Sequence, residues 1–517
     1  MDRRPEPTTA VLAAALGVLP LCSHISCSAS PVAIGTRKQL FIDDHIIDSL
    51  GGATRAFQQA QKAGPYLSAS AAWENAGSLA YPTVLRDGPD TWKMWYRAGT
   101  PAGEQAICYA TSADGVTKPN LGLYPHNGGK NNIVMLTVRP NHVDVPSVFR
   151  EDDGRYYMYA IEADRRYLSF RSADGIRGWT KCPNGLHADH SRVTASGTYA
   201  PRSANYDISQ AYYDRFRGDY IFHFKVPHDR ELFGTDDWQR KFHQHRYIGS
   251  LSNLASTPFP RVEPRHELAD AVDEALEPGT LRAENYGMAM YPQEDGSVVG
   301  FSWLFSIDGH AHNGFWHYGH MSVQLVFTRD IDGAWQRPAR TPIIPRGSTS
   351  GDWDWGMVST ANMPVEVPQA ETFGAPTDQV WLYITGANHK HNLDPPTGPR
   401  NHQFGIAKWR MDGFASLQSD VSEDVITTKA LTFSGDRLTL NADASARGAQ
   451  IQVEILGGNG TQLKPKSDAV TGNSLNHTVT WRGDHDLSGL AGTPVVLKLY
   501  STSTDLYALE FHGDRGA

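Results

Sequence analysis

Between Tyr81 and Phe414 one plan recurs five times, and that repeat constrains the fold more than any other feature of the chain. Each segment opens on a short strand, turns, runs on through an aromatic-rich strand and ends on a further strand, often followed by an Asp-Gly turn. The first goes from Tyr81 (YPTVLRDG) through TWKMWYRA and ICYAT to Ser112-Ala-Asp-Gly115. The second goes from Val145 (VPSVFREDDG) through RYYMYAI and YLSFR to Ser172-Ala-Asp-Gly175 and Trp179. The third opens at Asp207 (DISQAYYDRFRG), continues through DYIFHFKV and closes with RYIGSLS. The fourth opens at Glu284 (ENYGMAMYPQEDG) and closes with MSVQLVFTRDIDG and Trp335. The fifth opens at Asp354 (DWGMVST), passes through QVWLYITG and ends at FGIAKWRMDGF.

Aromatic and β-branched residues alternate here with polar ones at period two, the pattern of half-buried strands. No stretch carries a long 3.6-residue period with caps. Repeats of about 45–70 residues, each worth one small antiparallel sheet, predict an all-β, five-bladed β-propeller, with a single large β-sandwich as the alternative. Gln39–Ile47 (QLFIDDHII) is a candidate for the strand that closes the ring. After Leu417 the texture shifts to short alternating strands, ITTKALTFSG, RLTLNADAS, AQIQVEILGG, HTVTWRG, PVVLKLY and LYALEFHG, which predict a C-terminal β-sandwich. The expected domains are a propeller over 31–420 and a sandwich over 421–517, the latter for packing rather than sugar binding.

Residues 1–30 read as an export signal: Arg3 and Arg4, an apolar run over Ala10–Cys22, and the small residues of SCSAS. They predict a secreted, extracellular protein, or a periplasmic one in a bacterium. No other stretch approaches the length of a membrane span. A net charge of −9 over 517 residues argues against a nucleic-acid partner. Removal of the signal would leave Cys108 and Cys182, as one disulfide or as two free thiols.

A propeller aims the first strand of each blade at a central funnel. Acidic residues recur near those strands: Asp144, Asp207, Glu284 and Asp354. Converging carboxylates repel unless protons, cations or hydrogen bonds offset them, and glycoside hydrolysis needs two of them about 5–10 Å apart. His142, two residues before Asp144, is a candidate base, and Tyr206 or Tyr286 could complete a His/Tyr lyase site. The pairs His243-Gln-His245, His310-Ala-His312, His317-Tyr-Gly-His320 and His389-Lys-His391 suit a metal on a strand and solvated surface on a loop. No nucleophile elbow, phosphate loop, His-Glu-x-x-His or CxxC is present.

The segments KQLFIDDHIIDS, TWKMWYRA, MSVQLVFTRDIDGAWQRP, PIIPRG, WDWGM and RMDGFASL resemble secreted proteins related to glycoside hydrolase family 32. That group belongs to the five-bladed superfamily of families 32, 43 and 68. LTFSGDRLTLNADAS, VEIL and DLYALEF resemble the sandwich that follows its propeller, so the resemblance covers roughly residues 37–513. It implies a carbohydrate partner and a three-acid plan. The second-blade acid of that plan directly precedes a proline, whereas here Val145 precedes Pro146 and Asp144 lies one residue earlier. A one-residue slip turns a strand side chain to the other face, so either a bulge brings Asp144 into the funnel or the acid is lost. Asp207, in Asp207-Ile-Ser-Gln210, matches the third-blade acid; Asp43, Asp44 or Glu74 matches the first. The leading expectation is a glycoside hydrolase with Asp207 or Glu284 as general acid and Asp144 or Asp44 as base or stabiliser, and with Arg202 pairing a carboxylate or uronic acid. A polysaccharide lyase using His142 or a tyrosine, and a non-catalytic carbohydrate-binding protein, are the alternatives. No cofactor is required by either chemistry, and a structural calcium ion in the channel is left open.

Overall fold

The computed structural model describes residues 30–100, 104–117, 122, 128–137, 143–162, 166–182, 188–189, 208–227, 240–248, 269–310, 317–372 and 374–513. Residues 1–29 of the expected export signal and the candidates His142, Arg202, Tyr206 and Asp207 lie outside these residues. Among the described residues the regular structure is nearly all strand, and helix is limited to the turn Ala271–Glu274 and a few 3-10 turns. No helix there is long and apolar enough to cross a membrane.

The aromatic repeats form antiparallel meanders. Ala80–Arg86, Trp92–Gly99, Gln105–Ser112 and Ile133–Thr137 make the first sheet, and Val143–Arg150, Tyr156–Glu162 and Arg166–Ser172, with two short edge strands, the second. Ser209–Asp214, Asp219–Pro227 and Arg240–Ile248 make the third. An eight-stranded sheet holds two further meanders, joined where Met321 pairs in parallel with Met357. Alternation explains why both faces are buried. Along Trp92–Gly99, Trp92, Met94, Tyr96 and Ala98 enter one apolar cluster, and Trp95 enters another with Ile107 and Tyr109. Each large side chain so buried contributes about 1.5–3 kcal/mol.

The first strands of the meanders pack on one another in chain order: Ala80–Arg86 on Val143–Arg150, then Ser209–Asp214, then Arg282–Pro292, then Met357–Thr360, which also touches Ala80–Arg86. Side-chain to backbone bonds stitch this series. Thr83 Oγ1 donates to the Pro146 carbonyl at 2.8 Å, Ser147 Oγ accepts from the Ala211 N–H at 3.1 Å, and Asn362 Nδ2 donates to the Ala211 carbonyl at 3.1 Å.

The candidate closing strand needs correction. Gln39–Leu40 pairs with Asp505–His512 and Ile47–Ser49 with Asp424–Thr428, while Gln61–Ser68 forms the outer strand on His402–Arg410. Phe41, Ile46 and Ile47 are apolar enough to enter the C-terminal core, and they share it with Leu438, Ile451 and Phe511. Val32–Gly35 and Thr54–Phe57 likewise pair with strands 431–433 and 415–418, so two C-terminal sheets with one common core also take up the chain's first strands. Cys108 and Cys182 are both free and buried.

Candidate functional site

The site begins with a backbone irregularity. Pairing with Tyr156–Glu162 slips between Asp144 and Ser147, and Val145 has φ of 52°. A β-branched residue in that region costs about 1–3 kcal/mol. Its side chain is fully buried in the core, and Asp144 lines a cleft at the mouths of the first strands. The same device recurs one sheet earlier, where pairing slips between Ala80 and Thr83 and Tyr81, before Pro82, also has φ of 52°. A third slip, between Asn285 and Met288, brackets Tyr286. Bulges re-aim side chains in this way, and here three of them supply the walls of one cleft of about 360 Å³.

Asp144 is half-buried, with Arg97 Nε 3.5 Å from its Oδ1. Arg97 also donates to Gln105 Oε1 at 2.9 Å and lies 6.0 Å from the centre of the Tyr81 ring. Such a partly wetted ion pair contributes about 1 kcal/mol or less to stability, but it fixes where the carboxylate points. Tyr81 stacks on Trp303 with ring centres 6.3 Å apart and planes 8° from parallel. Trp303 Nε1 donates to Thr360 Oγ1 at 2.9 Å, and a Cβ at Gly287 would fall 2.4 Å from the indole, so only glycine leaves room for it.

Across the cleft, Tyr286 Oη lies 2.9 Å from His391 Nε2, and His391 Nδ1 lies 3.2 Å from the His317 carbonyl. A carbonyl oxygen only accepts, so Nδ1 carries the hydrogen and Nε2 accepts from the tyrosine. Farther along, His389 Nε2 lies 2.8 Å from His402 Nε2. His402 is pushed down to about 3 by burial, then by the neighbouring His389 charge, and burial also lowers His389. Arg400 lines the same cleft and donates to Asp394 Oδ1 at 2.8 Å.

Of the candidates named from sequence, Asp144 and Tyr286 meet in this cleft. Glu284 is buried elsewhere on its strand, 2.6 Å from Arg282. Glu74 is buried as a brace: it accepts from Tyr96 Oη at 2.7 Å and from the Ser70 and Ala71 N–H groups at 3.1 and 3.2 Å. Asp354 is buried against Lys62, which ties strand 61–68 to the last meander. Asp44 is exposed, 2.5 Å from Arg55, in the segment that joins the C-terminal sheets. Arg97, Arg400, His402 and Tyr81 were not singled out from sequence. Only Tyr81 had a readable signal, the match between Tyr81-Pro82 and Val145-Pro146. His389 and His391 share the cleft but bond different partners, and among the described residues no three His, Cys, Asp or Glu side chains converge as a metal site.

No protein-family model matches the chain, and no curated protein matches it. The solved structures to which it is similar include three with a bound saccharide. One is an N-acetylgalactosamine deacetylase from F. plautii in complex with blood group B trisaccharide, with 12% identity, 70% of this chain and 96% of that one covered, and a TM-score of 0.43. Another is an α-L-arabinofuranosidase from Podospora anserina in complex with cellotriose, with 15% identity, 68% and 98% covered, and a TM-score of 0.38. The third is an exo-β-1,3-galactanase from Phanerochaete chrysosporium with β-1,3-galactotriose, with 10% identity, 88% and 99% covered, and a TM-score of 0.36.

Proposed function

We propose that this chain is an exported, five-bladed β-propeller enzyme with a C-terminal β-sandwich, and that it hydrolyses glycosidic bonds in the cleft around Asp144. The observation that carries this reading is the bulge at Val145, which spends strain to turn one carboxylate into a polar cleft beside Arg97 and an aromatic wall. Strain held at a site that packing alone would not demand is a mark of function. The stacked Tyr81–Trp303 pair walls the cleft beside Asp144, and Asp144 acts as base or as stabiliser of the developing oxocarbenium charge. Asp207, on sequence grounds, supplies the general acid.

The Tyr286–His391 pair favours a second reading, elimination from a uronate. There His391 Nε2 takes the phenolic proton, and the tyrosinate oxygen removes the hydrogen beside the uronate carboxylate. The C4–O bond breaks as the C4–C5 double bond forms, the departing oxygen takes the proton the tyrosine has gained, and Arg97 or Arg400 neutralises that carboxylate. The product separates the two. Incubation with a polysaccharide panel is read for new reducing ends and for ultraviolet absorbance in the same wells. Hydrolysis gives ends without absorbance, and elimination gives both. Binding without turnover of any bound glycan overturns both readings and leaves a carbohydrate-binding protein.

A further inference from the structure

Two imidazoles meet head to head in the cleft, and their protons do not add up. His389 Nε2 and His402 Nε2 are 2.8 Å apart, with ring centres 5.0 Å apart and planes 24° from parallel. The other nitrogens are engaged as well: His389 Nδ1 lies 2.7 Å from the Lys390 carbonyl, and His402 Nδ1 lies 2.9 Å from the Leu79 carbonyl. Each carbonyl requires a hydrogen on its Nδ1, and a neutral imidazole has only one. The neutral pair therefore opposes two lone pairs at hydrogen-bond distance. Three contacts need three protons, and the third makes the pair an imidazolium–imidazole cation.

The surroundings do not supply the matching anion. The charged groups facing the pair are Arg97 and Arg400 on the positive side, with Asp144 beside Arg97 and Asp394 beside Arg400. Lys390 is held by Asp308. Asp144, Asp394 and Asp308 thus each have their own cation, and among the described residues facing the pair a third proton leaves one positive charge in excess. Burial opposes that charge while the cleft is empty. A ligand bringing a negative charge removes the opposition.

We propose that the cleft seats the anionic group of an acidic glycan, a carboxylate or a sulfate, and that the His389–His402 pair takes its third proton from solvent as it does so. The proposal rests on the reading of this cleft as the glycan site. Uptake of one proton per ligand makes the complex tighten as pH falls, by up to tenfold per unit between the pair's free and bound pKa values.

The full chain is titrated calorimetrically with a galacturonate tetramer, a sulfated galactose tetramer and a neutral galactose tetramer, each in buffers of different ionisation enthalpy. At least one acidic tetramer should bind tenfold or more tighter than the neutral one, with uptake approaching one proton, and the better of the two identifies carboxylate or sulfate. Equal binding of the neutral tetramer, or binding of the acidic ones without proton uptake, overturns the proposal. H389Q and H402Q should each abolish the uptake. Should either variant fail to fold, imidazole ¹⁵N spectra of the unaltered protein decide: both Nε2 resonances move toward the protonated position on adding the acidic tetramer, and unmoved resonances overturn the proposal. Turnover is followed in the same samples. Cleavage with no preference for charge sinks this inference and leaves glycosidic cleavage standing, whereas acidic binding with proton uptake but no cleavage does the reverse.

Discussion

Tyr383, in the last meander, donates its hydroxyl hydrogen to the carbonyl of Gly115 in the first, at 2.7 Å. Trp95 does the same one sheet on, donating Nε1 to the Gly175 carbonyl at 2.7 Å. Both acceptors are the glycine of a Ser-Ala-Asp-Gly turn whose Asp Oδ1 collects the following N–H groups. The repeated turn is therefore the latch by which one sheet holds its neighbour. Both glycines have positive φ, 71° and 76°, and a Cβ there would lie 2.6–2.8 Å from the nearest atom of a buried aromatic side chain.

G115A and G175A should each lower stability by about 2–4 kcal/mol, from the backbone penalty and the overpacking together. Y383F should cost about 1 kcal/mol, since it leaves a half-buried carbonyl without its donor. Denaturant midpoints followed by near-ultraviolet dichroism measure all three. A G115A midpoint equal to that of the unaltered chain would refute the latch.

D144N should cut turnover on any glycan the protein cleaves by about 10²-fold or more while leaving the melting midpoint within a degree or so, because the partly wetted Arg97 pair adds little to folding. T83V tests the support beneath it. Thr83 Oγ1 donates to the Pro146 carbonyl, so its loss should cost about 1–2 kcal/mol and also lower kcat with little change in KM, by letting the bulge relax. A T83V enzyme with full kcat would mean that the bulge holds itself.

Y286F separates the two chemistries at the level of one oxygen. Under elimination it should remove activity by about 10²-fold or more. Under hydrolysis, activity should stay within a few-fold, because Tyr286 then only lines the cleft. Rates on the substrate identified by the product assay decide between these outcomes.

Much of the strand content was legible because period-two alternation is a local property: Trp92, Met94 and Tyr96 announce one buried face and Trp95 the other. Pairing was not. Gln39–Ile47 reads as a strand, yet nothing in its residues says whether it completes a meander or, through Phe41, Ile46 and Ile47, a C-terminal core. The site divides in the same way. Val145-Pro146 raised the choice between a bulge and a lost acid, and strand pairing does slip just after Asp144. Glu284 and Asp354 stand near first strands, and the cations they pair with, Arg282 and Lys62, could not be read from that spacing. His402 was invisible because its meaning depends on His389, which a loop folds back onto it.

Arg329 joins the fourth meander to the N-terminal segment at Asp43. Arg329 donates from Nη2 to Asp43 Oδ1 at 2.7 Å and from Nε to Asp43 Oδ2 at 3.1 Å, while Nη1 reaches Asp295 Oδ2 at 2.5 Å. Burial pushes the Asp43 carboxyl up, but the Arg329 bonds and charge, with the His45 N–H, outweigh it and hold the group below the ordinary value. A carboxyl depressed in the folded state binds protons more weakly there than in the unfolded chain. Its stabilisation is thus fully present above the unfolded value of about 4 and is lost as pH falls through the folded value. D43N should therefore lower the melting midpoint clearly at pH 6–7, and the gap to the unaltered chain should close as pH drops below about 4. A gap that stays constant across that range would show that the Asp43–Arg329 contact contributes shape rather than charge.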